Sequence, residues 1–205
     1  MKIGIFPGSF NPVHIGHLAI ANYIAEFEGY DQIWFLITPQ NPLKKKKDLL
    51  DQNLRLELIE EAIEGYEKFK TCTIEWDMPQ PSYTINTLQK LRMMHPGDSF
   101  DLIIGSDNWA NIHRWKDYQM ILKNFKTLIY PRQGVEKLYI KHPNARLCKD
   151  APQIEISATI IREAIKEGKD VRFYMPIGAF DKVVNTGEFV PDTEENDSNT
   201  PTPED

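Results

Sequence analysis

Short apolar runs alternate with longer stretches of helical periodicity along the chain, and this alternation narrows the fold more than any other feature. Residues 2–6 (KIGIF), 32–38 (QIWFLIT), 69–76 (FKTCTIEW), 100–104 (FDLII) and 126–130 (KTLIY) read as buried strands. Between the first two, Ile15, Leu18, Ile20, Ala21, Ile24, Ala25 and Phe27 form a helical stripe over residues 15–27. Residues 53–65 repeat apolar positions at Leu54, Leu58, Ile59 and Ala62 and stop at Gly65, a fitting C-cap. Helices are also predicted over 84–95, ending before Pro96-Gly97, and over 117–123, 159–168 and 177–187, while 133–156 shows little periodicity. Strands separated by helices imply parallel βαβ units and a doubly wound α/β sheet.

At 205 residues the chain is long enough to bury a core without disulfide staples. Its formal charge of −6 has one address. Residues 191–205 hold six acids (Asp192, Glu194, Glu195, Asp197, Glu204 and Asp205) and no base, which leaves 24 acids against 24 bases in the body. That balance argues against a globally basic nucleic-acid binder. The acidic, Pro/Thr/Asn-rich tail is expected to be disordered, beyond a single domain spanning residues 1–190. The run Ile33–Ile37 is too short to span a bilayer, and Pro7-Gly8 interrupts the N-terminal apolar stretch, unlike a signal peptide. Cys72 and Cys148, far apart in sequence, read as reduced structural thiols of a cytoplasmic protein.

In an open parallel sheet, ligands bind beyond the carboxyl ends of the strands. The chain leaves its first strand through Gly8-Ser9-Phe10-Asn11-Pro12-Val13-His14-Ile15-Gly16-His17. Gly8 permits a tight turn, and the N–H groups of the helix behind it suit a phosphate. His14 and His17, three apart, share a face at that positive end, where two imidazoles can donate to phosphoryl oxygens. Alternatively His14 caps the helix and His17 packs. A metal site needs more ligands, and His95, His113, His142 and the two cysteines are scattered without ligand spacing. Neither a Gly-x-Gly-x-x-Gly turn nor a P-loop is present.

This stretch resembles the signature of the nucleotidylyltransferase superfamily, whose members share His-x-Gly-His. Pro7, Ser9 and Asn11 depart from the usual Gly-Gly-Thr-Phe-Asp-Pro turn; Ser9 keeps the hydroxyl, and Asn11 removes a charge. Residues 156–162 (Ile-Ser-Ala-Thr-Ile-Ile-Arg) are similar to the superfamily's Ile-Ser-Ser-Thr-x-x-Arg motif, with Ala158 at the middle serine. Ser157 or Thr159 can cap the helix that follows, and Arg162 can hold a polyphosphate. Ile104-Gly105-Ser106-Asp107 with Trp115 resembles a segment of the nicotinate mononucleotide adenylyltransferases, as does Ser82-Tyr83-Thr84-Ile85-Asn86-Thr87-Leu88. Tyr130-Pro131-Arg132-Gln133-Gly134 resembles a weakened form of that branch's Arg-Pro-Gly turn. Thr38-Pro39 and the run Lys44–Lys47 take the place of its Pro-Pro-His-Lys loop, without the histidine.

The resemblance covers residues 2 to about 187 and implies a Rossmann-like doubly wound parallel sheet with a small helical C-terminal part. It implies adenylyl transfer from ATP, with Mg²⁺, to nicotinate mononucleotide, giving nicotinate adenine dinucleotide and pyrophosphate. His14, His17 and Arg162 take the catalytic places. Gly8, Ser9, Phe10, Gly105, Asp107, Ile156, Ser157 and Thr159 join His17 and Arg162 around ATP. Lys44, Lys45, Tyr83, Thr84, Trp115 and Arg132 take the acceptor. No nucleic acid or membrane partner is expected, and the oligomeric state, homo-oligomer included, stays open. Pantetheine-phosphate adenylyl transfer is the nearest alternative, though chains of that kind are typically shorter and lack the Gly105…Trp115 arrangement. A nucleotide-binding regulatory module without turnover is a second, and intact His14, His17 and Arg162 argue against it.

Overall fold

The structure is a computed structural model that describes residues 1–39, 49–132, 134 and 139–189. Six strands form one sheet: β1 (Lys2–Gly8), β2 (Gln32–Ile37), β3 (Phe69–Cys72), β4 (Ser99–Gly105), β5 (Thr127–Tyr130) and β6 (Ala145–Leu147). Their order is β3-β2-β1-β4-β5-β6, and every neighbouring pair is parallel. The chain therefore winds outward from β1 in one direction, returns, and winds from β4 in the other. The crossing leaves a crevice between the carboxyl ends of β1 and β4.

The strands are apolar on both faces because helices cover both. Phe6, Ile33, Phe35, Ile37, Ile103 and Leu128 point into one layer, with α1 (Ile15–Phe27), α2 (Gln52–Ile63), α6 (Ala158–Lys166) and α7 (Ala179–Asn185). Ile3, Ile5, Leu36, Leu102, Ile104 and Ile129 point into the other, with α3 (Thr84–Met94), α4 (Ser106–Ala110) and α5 (Tyr118–Asn124). On the central strand, Gly4 lies opposite Ile33 and Asp101, and a Cβ there would sit 2.9 Å from the Ile33 side chain. Glycine at this point lets the neighbouring isoleucines close over the strand.

Four elements differ from the sequence expectation. The third strand stops at Cys72, and residues Ile74–Asp77 form a 3₁₀ turn instead of continuing it. In that turn the Trp76 indole N–H donates to the Ile37 carbonyl at 3.0 Å, meeting the end of β2 with a side chain. The short helix α4 was hidden by its length, and it starts directly where β4 ends. Strand β6 is a three-residue edge inside the weakly periodic stretch. Helix α2 begins one residue early because the Asp51 carboxylate accepts from the N–H groups of Asn53 and Leu54.

Candidate active site

The turn after β1 is clamped from below. Phe10 adopts φ +44 and buries its ring, 1% exposed, against the backbone of Gly8, where a Cβ would meet it at 2.8 Å. The ring also stands edge-on to His17, with centroids 5.0 Å apart. Arg55 of α2 is 1% exposed, and its guanidinium donates to the carbonyls of Ser9 (2.7 Å), Thr38 (2.8 Å) and Leu50 (3.1 Å). The Asn11 side-chain oxygen accepts from the Leu50 N–H at 2.9 Å. An aspartate would accept equally well, so the Asn11 departure from the motif retains this bond.

His14 stands at the N-cap of α1, and His17 occupies its first turn. The two rings stack with centroids 3.7 Å apart. The backbone N–H of His14 donates to His17 Nδ1 at 3.3 Å, so in the neutral ring the proton resides on Nε2. His14 is 3% exposed, and burial, reinforced by the positive Arg132, pushes its pKa down to about 4. Its Nδ1 finds no hydrogen-bond partner among the described residues. A Cβ on Gly16 would lie 3.0 Å from that Nδ1 and 3.4 Å from the Ile156 carbonyl. The glycine between the histidines is thus what lets the imidazole and the 156 backbone close over the helix start.

The C-terminal motif meets this turn. Ser157 caps α6, its hydroxyl accepting from Ile160 N–H at 3.3 Å. Thr159 does not cap; its hydroxyl accepts instead from Arg162, at 3.3 Å. Arg162 donates to the Asn11 carbonyl at 2.8 Å and so ties α6 to the first turn. Between them opens a cleft of about 320 Å³ lined by His14, Gly16, His17, Arg132, Ile156 and Ser157, among others.

The carboxyl end of β5 closes one wall, and the end of β4 is tied to it. Ser106 Oγ accepts from the Arg132 N–H at 2.8 Å, locking the two loops together. A Cβ on Gly105 would lie 3.1 Å from the Arg132 side chain, so that side chain lies flat over the glycine. Asp107 Oδ2 sits 3.6 Å from Arg132 Nη1, an ion pair nearly half exposed on both sides. Further along, Tyr83 is the N-cap of α3 and Thr84 its first residue. Trp115 packs on the same core layer, and the adjacent Lys116 places Nζ 4.4 Å from the Tyr83 ring centroid. Within α3 the Tyr83 carbonyl takes the N–H groups of Asn86 and Thr87, so those of Thr84 and Ile85 are the ones without an intrahelical acceptor.

Residues 5–164 match the cytidylyltransferase-like family model. A protein of Azobacteroides pseudotrichonymphae genomovar. CFP2, named "Probable nicotinate-nucleotide adenylyltransferase", is 63% identical over 185 residues, covering 90% of this chain and 97% of the relative. A Bacteroides fragilis (strain YCH46) protein of the same name is 48% identical, covering 89% and 91%. The chain belongs to the nicotinate-nucleotide adenylyltransferases of the cytidylyltransferase-like family. The fold agrees with the solved Plasmodium falciparum nicotinic acid mononucleotide adenylyltransferase complexed with NaAD: TM-score 0.78, 19% identity, 92% of this chain and 97% of that one.

The family's two end motifs, far apart in the chain, converge on one cleft. Of the residues expected around ATP, His14, His17, Ile156 and Ser157 line it, and of those expected at the acceptor, Arg132 does; Gly105, Asp107, Tyr83, Thr84 and Trp115 are not among its lining residues. Gly8, Ser9 and Phe10 shape the turn beneath it, with Phe10 turned into the core. Arg162 and Thr159 are engaged with each other and with the first turn. Lys44, Lys45 and the acidic tail lie outside the described residues. Sequence reading missed Arg55, Ser106 and Glu75. Arg55 sits in the apolar stripe of α2, a weak signal that a cation is buried there. Glu75 falls inside an apparent strand and gives no such sign.

Proposed function

We propose that this enzyme transfers the adenylyl group of ATP to nicotinate mononucleotide, giving nicotinate adenine dinucleotide and pyrophosphate in NAD biosynthesis. The observation that carries the reading is the convergence of both family motifs on one cleft at the β1/β4 crossing, together with the relatives' shared name. The acceptor's phosphate oxygen attacks the α-phosphorus of ATP in line. The bond from that phosphorus to the α–β bridging oxygen breaks, and its electrons leave with pyrophosphate. A phosphate monoester is already an anionic nucleophile, so the protein supplies position and charge stabilisation.

His17 Nε2, His14 and the opening N–H groups of α1 are the donors to the α-phosphate. Arg162, and Lys44 or Lys45 of the lysine run, take the β/γ end. Among the described residues no three His, Cys, Asp or Glu groups are placed to hold a metal ion. Mg²⁺ would accompany ATP, held mainly by its phosphate oxygens and water. The pyridine ring stacks on Trp115, and its carboxylate meets the N–H groups that open α3 near Thr84.

The test supplies ATP with each acceptor and follows pyrophosphate release. A neutral amide loses the charge and aims an N–H₂ donor at backbone donors. Nicotinate mononucleotide is expected to exceed the nicotinamide form in kcat/KM by at least about 100-fold. Trp115→Ala weakens both acceptors and hardly moves their ratio, because stacking does not read the charge. Comparable efficiency on the two acceptors in the wild type would overturn this carboxylate pocket.

A further inference from the structure

Behind the start of α3 lies a buried carboxyl group that the reaction does not use. Glu75, on the 3₁₀ turn Ile74–Asp77, is 3% exposed. Its Oε2 accepts from the Ser82 hydroxyl at 2.9 Å, and its Oε1 from the Thr87 hydroxyl at 2.7 Å. Its backbone carbonyl accepts from the Gln80 side chain at 2.9 Å. Ser82 and Thr87 are themselves buried. Among the described residues no lysine or arginine forms an ion pair with Glu75.

Burying a carboxyl group on hydroxyl donors alone is costly, and an apolar residue would fill the same space at lower cost. What this network supplies is geometry. Ser82 immediately precedes Tyr83, the N-cap, and Thr87 lies one turn inside the helix. The Tyr83 carbonyl accepts from the N–H groups of Asn86 (2.9 Å) and Thr87 (3.2 Å), closing the first turn. Glu75 thus grips the chain on both sides of Tyr83–Thr84, the segment whose N–H groups face the acceptor in the reading above. Lys116 over the Tyr83 ring joins that segment to Trp115. A fully satisfied buried network fixes one arrangement of its members.

We propose that Glu75 is a positioning residue for the acceptor: through Ser82 and Thr87 it holds the start of α3 where its N–H groups receive the pyridine carboxylate. The role rests on the proposed acceptor pocket and adds the group that sets its geometry. A shift of those donors loosens the nicotinate form, which uses them, more than the amide form, and leaves the ATP end unaffected.

The test measures KM and kcat for ATP and for both acceptors, with Tm, in the wild type and in Glu75→Ala, Glu75→Gln and Thr87→Val. Glu75→Ala is expected to raise KM for nicotinate mononucleotide about tenfold or more and to lower the nicotinate-to-amide ratio about tenfold. The KM for ATP should move less than about threefold. Glu75→Gln keeps one acceptor and gains a donor to the other hydroxyl oxygen, and should restore the ratio to within about threefold of wild type. Thr87→Val preserves shape and removes one hydroxyl, so it reads the same effect, smaller, even if Glu75→Ala does not fold. Variants that lower Tm but leave acceptor KM and ratio at wild-type values would make Glu75 a purely structural residue and overturn the role alone. A wild type that uses both acceptors equally would overturn the acceptor pocket, and this role with it.

Discussion

The two histidines have different tasks because their surroundings differ. His17 receives a backbone N–H on Nδ1 and is left with Nε2–H as its donor. His17→Ala should keep the fold and reduce kcat by on the order of 10²-fold, as loss of a transition-state donor does. Near-native turnover in steady-state kinetics would return His17 to a packing role. His14 is buried and held neutral, with its pKa near 4 against the usual 6.5. The unfolded chain then binds the proton more tightly, so stability falls as pH drops from about 6.5 towards 4 and is complete above that window. The loss is on the order of 3 kcal/mol. Chemical denaturation across this range should show His14→Gln losing less stability than the wild type; parallel curves would refute the shift. That the two histidines meet at the helix start was legible, because a spacing of three puts them on one face, an arrangement that fits capping and packing as well as phosphate binding. Phe10 was not, because a positive φ that turns a ring under Gly8 leaves no trace in the pattern of residue types.

At the scale of elements, periodicity located the long helices to within a residue or two because each buries a stripe against the sheet. It failed where polar groups set the structure. The third strand gives way to a 3₁₀ turn in which Trp76 meets the Ile37 carbonyl and Glu75 meets Ser82 and Thr87. Arg55 follows the same logic in α2, as a cation on an apolar face that joins the turn after β1 to the end of β2. Arg55→Met should destabilise by on the order of 3 kcal/mol, since the carbonyls of Ser9, Thr38 and Leu50 lose their donor in a buried place. An urea midpoint within experimental error of wild type would show that the clamp is dispensable. Gly16→Ala tests the helix start. Alanine favours the helix by about 0.5–1 kcal/mol, yet its Cβ crowds His14 Nδ1 and the Ile156 carbonyl. Stability should therefore change little while kcat falls about tenfold; unchanged kcat would mean that the cleft tolerates the methyl group.

For the molecule as a whole, the fold brings together what sequence keeps apart: the start of α1 after β1, the end of β5 with the loop after it, and the start of α6 all line one cleft. The parallel sheet was legible from alternation alone; the convergence of Arg162 on Asn11, 151 residues away, was not, because no local rule sets it. The charge distribution allows a last prediction. The 15 residues 191–205 carry the whole formal charge of −6 and, prolines aside, no apolar residue to bury. Deleting them takes the formal charge to zero without removing core. Tm and kcat should stay at wild-type values. Six negative charges repel anionic substrates only within a Debye length, about 8 Å at 0.15 M ionic strength and about 30 Å at 0.01 M. Truncation should therefore leave kcat/KM for ATP within about twofold at 0.15 M and raise it, if at all, at 0.01 M. The truncated protein should also be less soluble at neutral pH, where its net charge is near zero. A large fall in Tm or kcat on truncation would mean that the segment docks on the body and contributes to the folded enzyme.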